Sequence, residues 1–315
     1  MAWVTWRQHR PQLLGGLALL VALAAAALGT DLPIRAAYHR DALSGCLPPS
    51  ARSGCDIIVK HFQGEFDSWA AAVRGFAVLP ALAGLFVGAP LLAREFEHGT
   101  HRFAWTQSIT RGRWLWSKTS LLAAATLVAG ATASAIVMWW RSPFDTLEGR
   151  MGPSGFDIEG LVVPAYALFA LALGILAGLL LRRTVAAMTV TLLVFAATRL
   201  TVLEFLRPHY FAPLQRSVIA SDSGRVAGDW VLSDTLVDAG GRAVGTVRED
   251  SAVLHAQQAG IDPHTYLVTL GWKRVISYQP AGRFWTFQLI EAGIFVALAA
   301  AVVAATLWFV RRNPA

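Results

Sequence analysis

Six apolar runs, each close to the length that crosses a bilayer, constrain this chain more than any other feature. They cover residues 12–30, 75–93, 119–140, 161–181, 184–203 and 287–310. A helix needs about 20 predominantly apolar residues to span the hydrocarbon core. Inside lipid every backbone N–H and C=O must be satisfied within the protein, so runs of this length are read as helices. Only Arg199 in the fifth run and Glu291 in the sixth interrupt them with charge. Soluble core helices are rarely apolar on all sides for so long. The expected fold is therefore an all-α polytopic membrane protein with six transmembrane helices. A small mixed extracytoplasmic region between spans five and six completes it.

The first run has a competing reading. Arg7 and Arg10 precede it and the small residues Ala24 to Ala27 lie near its end, as in a cleaved signal peptide. Its apolar stretch is longer than a typical signal core, and the charge distribution also favours retention. Lys and Arg accumulate on the inner side of membrane proteins. With both the N- and C-termini inside, the inner segments hold eleven basic residues against two acids, Glu95 and Glu97. The outer segments are slightly acidic, so the net charge of +7 reports topology. The basic residues are scattered over four short segments and form no stripe with aromatics, so no nucleic acid partner is expected. Nine of the 12 tryptophans fall at or near span ends, as interfacial belts require. Trp3 to Arg10 reads either as a short segment lying on the inner leaflet or as a plain positive N-terminal region.

Three polar segments are candidates for function, because loops on a rigid scaffold commonly carry it. The first extracytoplasmic loop, 31–74, contains Cys46 and Cys55, nine positions apart. An outside location favours a disulfide, with free thiols as the alternative. Closing so short a loop contributes roughly 2–3 kcal/mol in the chain-entropy model. The inside segment 94–118 holds the only two inner acids, and acids on a basic face call for a specific partner. Glu95, His98 and His101 recur every third residue, but Gly99 interrupts that face and no cysteine is present, so no metal is expected. The third segment, 204–283, is too long to be structureless in a compact protein. A hairpin is expected around Gly240-Gly241 and a helix over 250–258, with 266–278 lying on or dipping into the outer leaflet. Arg199 and Glu291 both fall in the outer half of their spans. Intramembrane charges are costly and mark functional sites by default. A direct Arg199–Glu291 pair at an outer gate is one reading, and separate snorkelling to the interface is the other. Gly84-x-x-x-Gly88 and Gly174-x-x-x-Gly178 permit close helix approach in spans two and four.

No G-x-x-x-x-G-K-[ST] phosphate loop occurs, and neither does G-x-S-x-G or H-E-x-x-H. The chain is thus expected not to be an enzyme by itself. The run Arg94-Glu95-x-Glu97-x-Gly99-Thr100, followed by Thr110-Arg111 and Lys118, resembles ATP-binding-cassette (ABC) type-2 exporter permeases. The opening Trp3-x-Thr5-Trp6-Arg7-Gln8-His9-Arg10 and the segment Tyr278-Gln279-Pro280 through Glu291 are similar to an actinobacterial branch of that group. The resemblance extends over essentially the whole chain. It implies a coupling helix in 94–118 that docks on a separate ABC ATPase subunit. Glu95, Glu97, Gly99, Thr100 and Arg111 would form or support that contact. It further implies ATP–Mg bound only through the ATPase, no directly bound cofactor, and a second copy of the chain or a homologous permease in the membrane lipid of the cytoplasmic (plasma) membrane. A membrane-anchored sensor or scaffold, with a ligand-binding outer region and no transport, is the alternative.

Overall fold

A computed structural model describes residues 2–46, 55–97, 111–220, 222, 226 and 228–312. Six helical segments in it are long and apolar enough to cross a membrane. Helix α1 (Ala2–Arg40) is the first. Helix α2 (Cys55–Arg74) leads into the second span, which ends in α3 (Ala89–Glu97). Then follow α4 (Arg111–Glu148), α5 (Val162–Leu181) and α6 (Thr184–Thr201). The last span is α9 (Phe284–Arg312). Arg94, Arg182, Arg183, Arg311 and Arg312 gather at one end of the bundle, called the basic end below.

Segment 31–74, expected as a loop, is mostly helical. At about 1.5 Å per residue the 39-residue α1 is about 58 Å long, nearly twice the hydrocarbon core. It therefore projects beyond the bundle, and so does the 38-residue α4 beside it. Helix α2 covers both projecting ends. Its residues Val59, Phe62, Phe66 and Val73 share the helix face that packs on them. Phe62 and Phe66 are buried with Ile34, Leu43, Trp140 and Phe144. Trp140 Nε1 donates to Thr30 Oγ1 at 2.7 Å, and Arg35 donates to the Trp139 carbonyl and to Asp31. A disulfide joins Cys46 to Cys55, the first residue of α2, with the Cα atoms 5.4 Å apart.

Span two is not a regular helix. A 3₁₀ turn at Gly75–Val78, a helical turn at Leu79–Leu82 and a π segment at Ala83–Gly88 precede α3. Pro80 and Pro90 remove ladder donors, and the π segment accommodates the resulting mismatch. The same segment packs closely against α5. A Cβ on Gly84 or Gly88 would collide with the Ala170 and Leu171 carbonyls, and one on Gly174 or Gly178 with span-two backbone. The two glycine motifs face each other within one chain and bring span two onto α5. Helix α5 is apolar all round, which suits a helix surrounded by protein. It is the hub of the bundle, packed by span two, α4, α6 and α9.

Between spans five and six the chain forms a small mixed domain. Strands β1 (Leu214–Ile219), β2 (Trp230–Val237) and β3 (Lys273–Gln279) make an antiparallel sheet in the order β1-β3-β2. Helices α7 (Thr246–Gln258) and α8 (Pro263–Thr269) connect β2 to β3. The core of the domain is Ala220, Leu236, Val244, Leu267 and Trp272. The expected hairpin is reduced to a tight turn after β2, closed by a single bridge between Val237 and Ala243. The expected leaflet segment 266–278 is instead α8 and the central strand, because β3 finds hydrogen-bonding partners on both edges.

Candidate functional site

At the end opposite the basic one, buried charges tie four spans together. The π segment Val202–Leu206 extends α6, and the following 3₁₀ turn begins at Arg207, which is 1% exposed. The Arg207 guanidinium grips Glu291 of α9 through two nitrogens, Nε at 2.8 Å and Nη2 at 2.7 Å. Nη2 also reaches Asp157 at 2.5 Å and the Tyr166 hydroxyl at 3.2 Å. The guanidinium lies over the Phe156 ring, 4.2 Å from its centroid. Glu291 additionally accepts hydrogen bonds from the hydroxyls of Tyr166 and Tyr210. A planar fork against a carboxylate is the geometry in which arginine binds best.

Arg199 and Glu291 do not pair directly. Arg199 Nη2 reaches Asp157 at 3.2 Å, while Nη1 donates to the Ala77 carbonyl at 2.6 Å and the group lies over the Tyr166 ring. Asp157 therefore bridges Arg199 to Arg207, and Arg207 holds Glu291. The reason is positional. Arg207 lies two turns beyond Arg199 on the same extended helix, opposite α9, and Asp157 enters between them from the α4–α5 connection. Two arginines face two carboxylates, so the cluster is neutral. The Arg199 bond to Ala77 also serves a carbonyl in the irregular stretch of span two.

A second buried cluster lies beside it. Arg141 at the end of α4 donates to Glu159 at 2.7 Å and stands 3.4 Å from Asp145. Arg150 approaches Asp145 at 3.1 Å and Glu159 at 3.8 Å. Burial, together with the neighbouring Asp145 carboxylate, pushes the Glu159 carboxyl up to about 7. Amide side chains complete the seam. Gln288 accepts from the Val162 amide and donates to the Phe156 carbonyl, both at 3.0 Å. Gln279 donates to the carbonyls of Pro208 and Phe211. Sequence reasoning overlooked Arg207, Asp157, Glu159, Arg141 and Tyr166 because all but Tyr166 fall in segments assigned to outer loops. The eight-residue spacing of Arg199 and Arg207 and the acid-rich stretch 145–159 were the available signals.

The basic end is held differently. The Glu97 carboxylate, at the end of α3, accepts from the Thr184 amide at 2.8 Å and from its hydroxyl at 2.7 Å. It thereby caps the first turn of α6, where unpaired amides and the helix dipole favour an anion. The α5–α6 turn is only Arg182-Arg183, with Arg182 in the left-handed region at φ +54°. The Arg182 guanidinium lies over the Phe96 ring at 5.3 Å. Glu97 thus has its partner inside the chain. Arg111 is the first residue of α4, and Glu95 lies in the last turn of α3. Gly99, Thr100, His98 and His101 lie outside the described residues.

Between α1, span two, α4 and α5 runs an apolar groove of about 760 Å³. Leu20, Leu23, Phe86, Leu122 and Ala133 line it, and Gln12 stands at one end. Among the described residues one histidine–carboxylate cluster, Asp41, His61 and Glu65, has metal-ligand spacing. Arg40 already binds both of its carboxylates, at 2.9 and 3.0 Å, and holds the Asp41 carboxyl below the usual range.

No curated protein and no solved structure matches this chain. A family model described as "ABC-2 membrane transporter related" matches residues 17–207, from the first span to the arginine that grips Glu291. With six spans knit by glycine packing and buried charge, that match makes this permease-type, multi-pass membrane protein a member of the ABC-2 membrane transporter-related family.

Proposed function

We propose that this chain is the permease subunit of an ABC exporter in the plasma membrane, with both termini inside. It moves a substrate across the membrane using ATP–Mg hydrolysed by a separate ATPase subunit. That subunit docks on segment 94–118 and acts on Glu95, Glu97, Gly99, Thr100 and Arg111. A second copy of the chain or a homologous permease forms the other half of the pathway. The terminal signatures are those of an actinobacterial branch.

The observation that carries the reading is the Glu97–Thr184 clasp. A push on 94–118 reaches the end of α3 directly and the start of α6 through two hydrogen bonds at the same carboxylate. The interlocked glycines then pass the displacement from span two to α5. Coupling of this kind needs a contiguous element with two arrangements, and an irregular π-containing span is suited to provide one. The apolar groove between α1 and span two offers a route for an apolar substrate.

The test is coexpression with an ATPase encoded beside this chain. Glu97→Gln combined with Gly99→Val is expected to reduce copurification and to abolish stimulation of ATPase activity by the permease. Unchanged binding and stimulation would remove the coupling assignment.

A further inference from the structure

The sheet domain carries a concavity that the transport reading does not use. It measures about 640 Å³ and opens between the turn after β2 and helices α7 and α8. Trp272, Tyr266 and Leu270 form its apolar lining. Arg242, Arg248 and His255 bring the basic groups. Asp238 organises them. Its Oδ1 accepts from the backbone amides of Gly240 at 2.9 Å and Arg242 at 3.0 Å. Its Oδ2 meets Arg248 Nη1 at 3.2 Å and Arg242 Nε at 3.7 Å. Those contacts, the Arg242 amide first, hold the Asp238 carboxyl below the usual range, so it remains ionised and fully engaged.

Among the described residues of the cluster, two guanidinium groups share one carboxylate, an excess of one positive charge. Arg248 is also positioned by the Trp272 ring, 5.6 Å from the centroid. Both arginines still face solvent, with side chains 86% exposed at Arg242 and 59% at Arg248. An oriented arginine fork with open donors is a recognition element for phosphate oxygens. The location identifies the source of the ligand. The strand ends nearest the bundle are Leu214 and Gln279, whereas Val237 and Lys273 lie at the far edge. At about 3.3 Å per residue, six residues of strand separate the concavity's edge of the sheet from the strand ends nearest the bundle by about 20 Å along the strands.

We propose that this concavity binds a phosphate-bearing ligand that arrives from the aqueous phase on the side away from the basic end. The phosphate sits between Arg242, Arg248 and His255, and the organic portion lies against Tyr266 and Leu270. This site is independent of the ATPase coupling described above.

The full chain in phosphatidylcholine nanodiscs would be titrated with inorganic phosphate and with glycerol phosphate by calorimetry. Saturable binding is expected for both. Arg242→Gln with Arg248→Gln should weaken it at least about tenfold, and Arg248→Lys, which keeps charge but loses the fork, by several-fold. Arg311→Gln, at the basic end, should have no effect. Melting temperatures report on folding, and Arg242→Gln alone serves if the double variant unfolds. The proposal is overturned by absent wild-type binding, by equal binding in the double variant, or by equal weakening in Arg311→Gln. Binding seen only to phosphatidylglycerol nanodiscs, with none to the soluble phosphates, would assign the arginines to a lipid surface and overturn it as well.

Discussion

The two ends of the bundle are held by opposite strategies. At the basic end, among the described residues, the Glu97 carboxylate caps the start of α6 from the end of α3. The other end has two buried ion clusters, amide side chains that bond backbone across elements, and a disulfide. The difference concerns where the molecule can move. A single exposed cap is worth about 0.5–2 kcal/mol. Dismantling a buried four-charge network leaves desolvated charges behind and costs far more. We therefore expect displacement to originate at the basic end, with the opposite end as the pivot.

Breaking the pivot gives the largest expected effect. Arg207→Ala leaves Glu291 and Asp157 buried without their shared cation, and about 3–5 kcal/mol of stability should be lost. Thermal unfolding in detergent measures this, and a change below about 1 kcal/mol would show that the cluster does not lock the spans. Next is the disulfide. Replacing Cys46 and Cys55 by serine should cost roughly 2–3 kcal/mol and loosen α2 from α1 and α4. Protection of α2 amides from exchange should fall while that of α5 stays constant. Unchanged α2 protection would place the restraint in the Phe62–Phe66 packing instead.

A smaller effect is expected with pH. Glu159 holds its proton up to about 7, above the ordinary value of 4.5. The folded chain therefore binds that proton more tightly than the unfolded chain does. The stabilisation is present at low pH and declines as pH rises from about 4.5 through about 7. Glu159→Gln should flatten this part of the stability profile, and an unaltered slope would reject the assignment. Smallest of all, Glu97→Gln should change stability by only about 1 kcal/mol while removing coupling. A large loss of stability from this single change would erase the contrast between the two ends.

Much of the frame was legible without coordinates. The spans follow from apolar runs, because lipid imposes a length and forbids unpaired backbone. The glycine spacings were visible, although not that the two motifs meet each other. The helical character of 55–74 was also written in the three- and four-residue recurrence of Val59, Phe62, Phe66 and Val73. It went unread because the segment was judged by its polarity. The charge network was less accessible. Arg207, Asp157 and Glu291 are separated by 50 and 84 positions, and nothing local marks them as neighbours. Glu97 was singled out as an acid on a basic face, and in the structure its carboxylate caps the start of α6.

What the sequence alone determined is the number of spans, the charge asymmetry between the two ends and the absence of a phosphate loop. These depend on length, composition and local spacing, which the chain carries along itself. Only the tertiary structure decided which charges pair, that Arg199 reaches Asp157 rather than Glu291, and that two guanidinium groups share Asp238. Electrostatic pairing in a low-dielectric interior depends steeply on distance and direction. Those quantities exist only once the helices have packed.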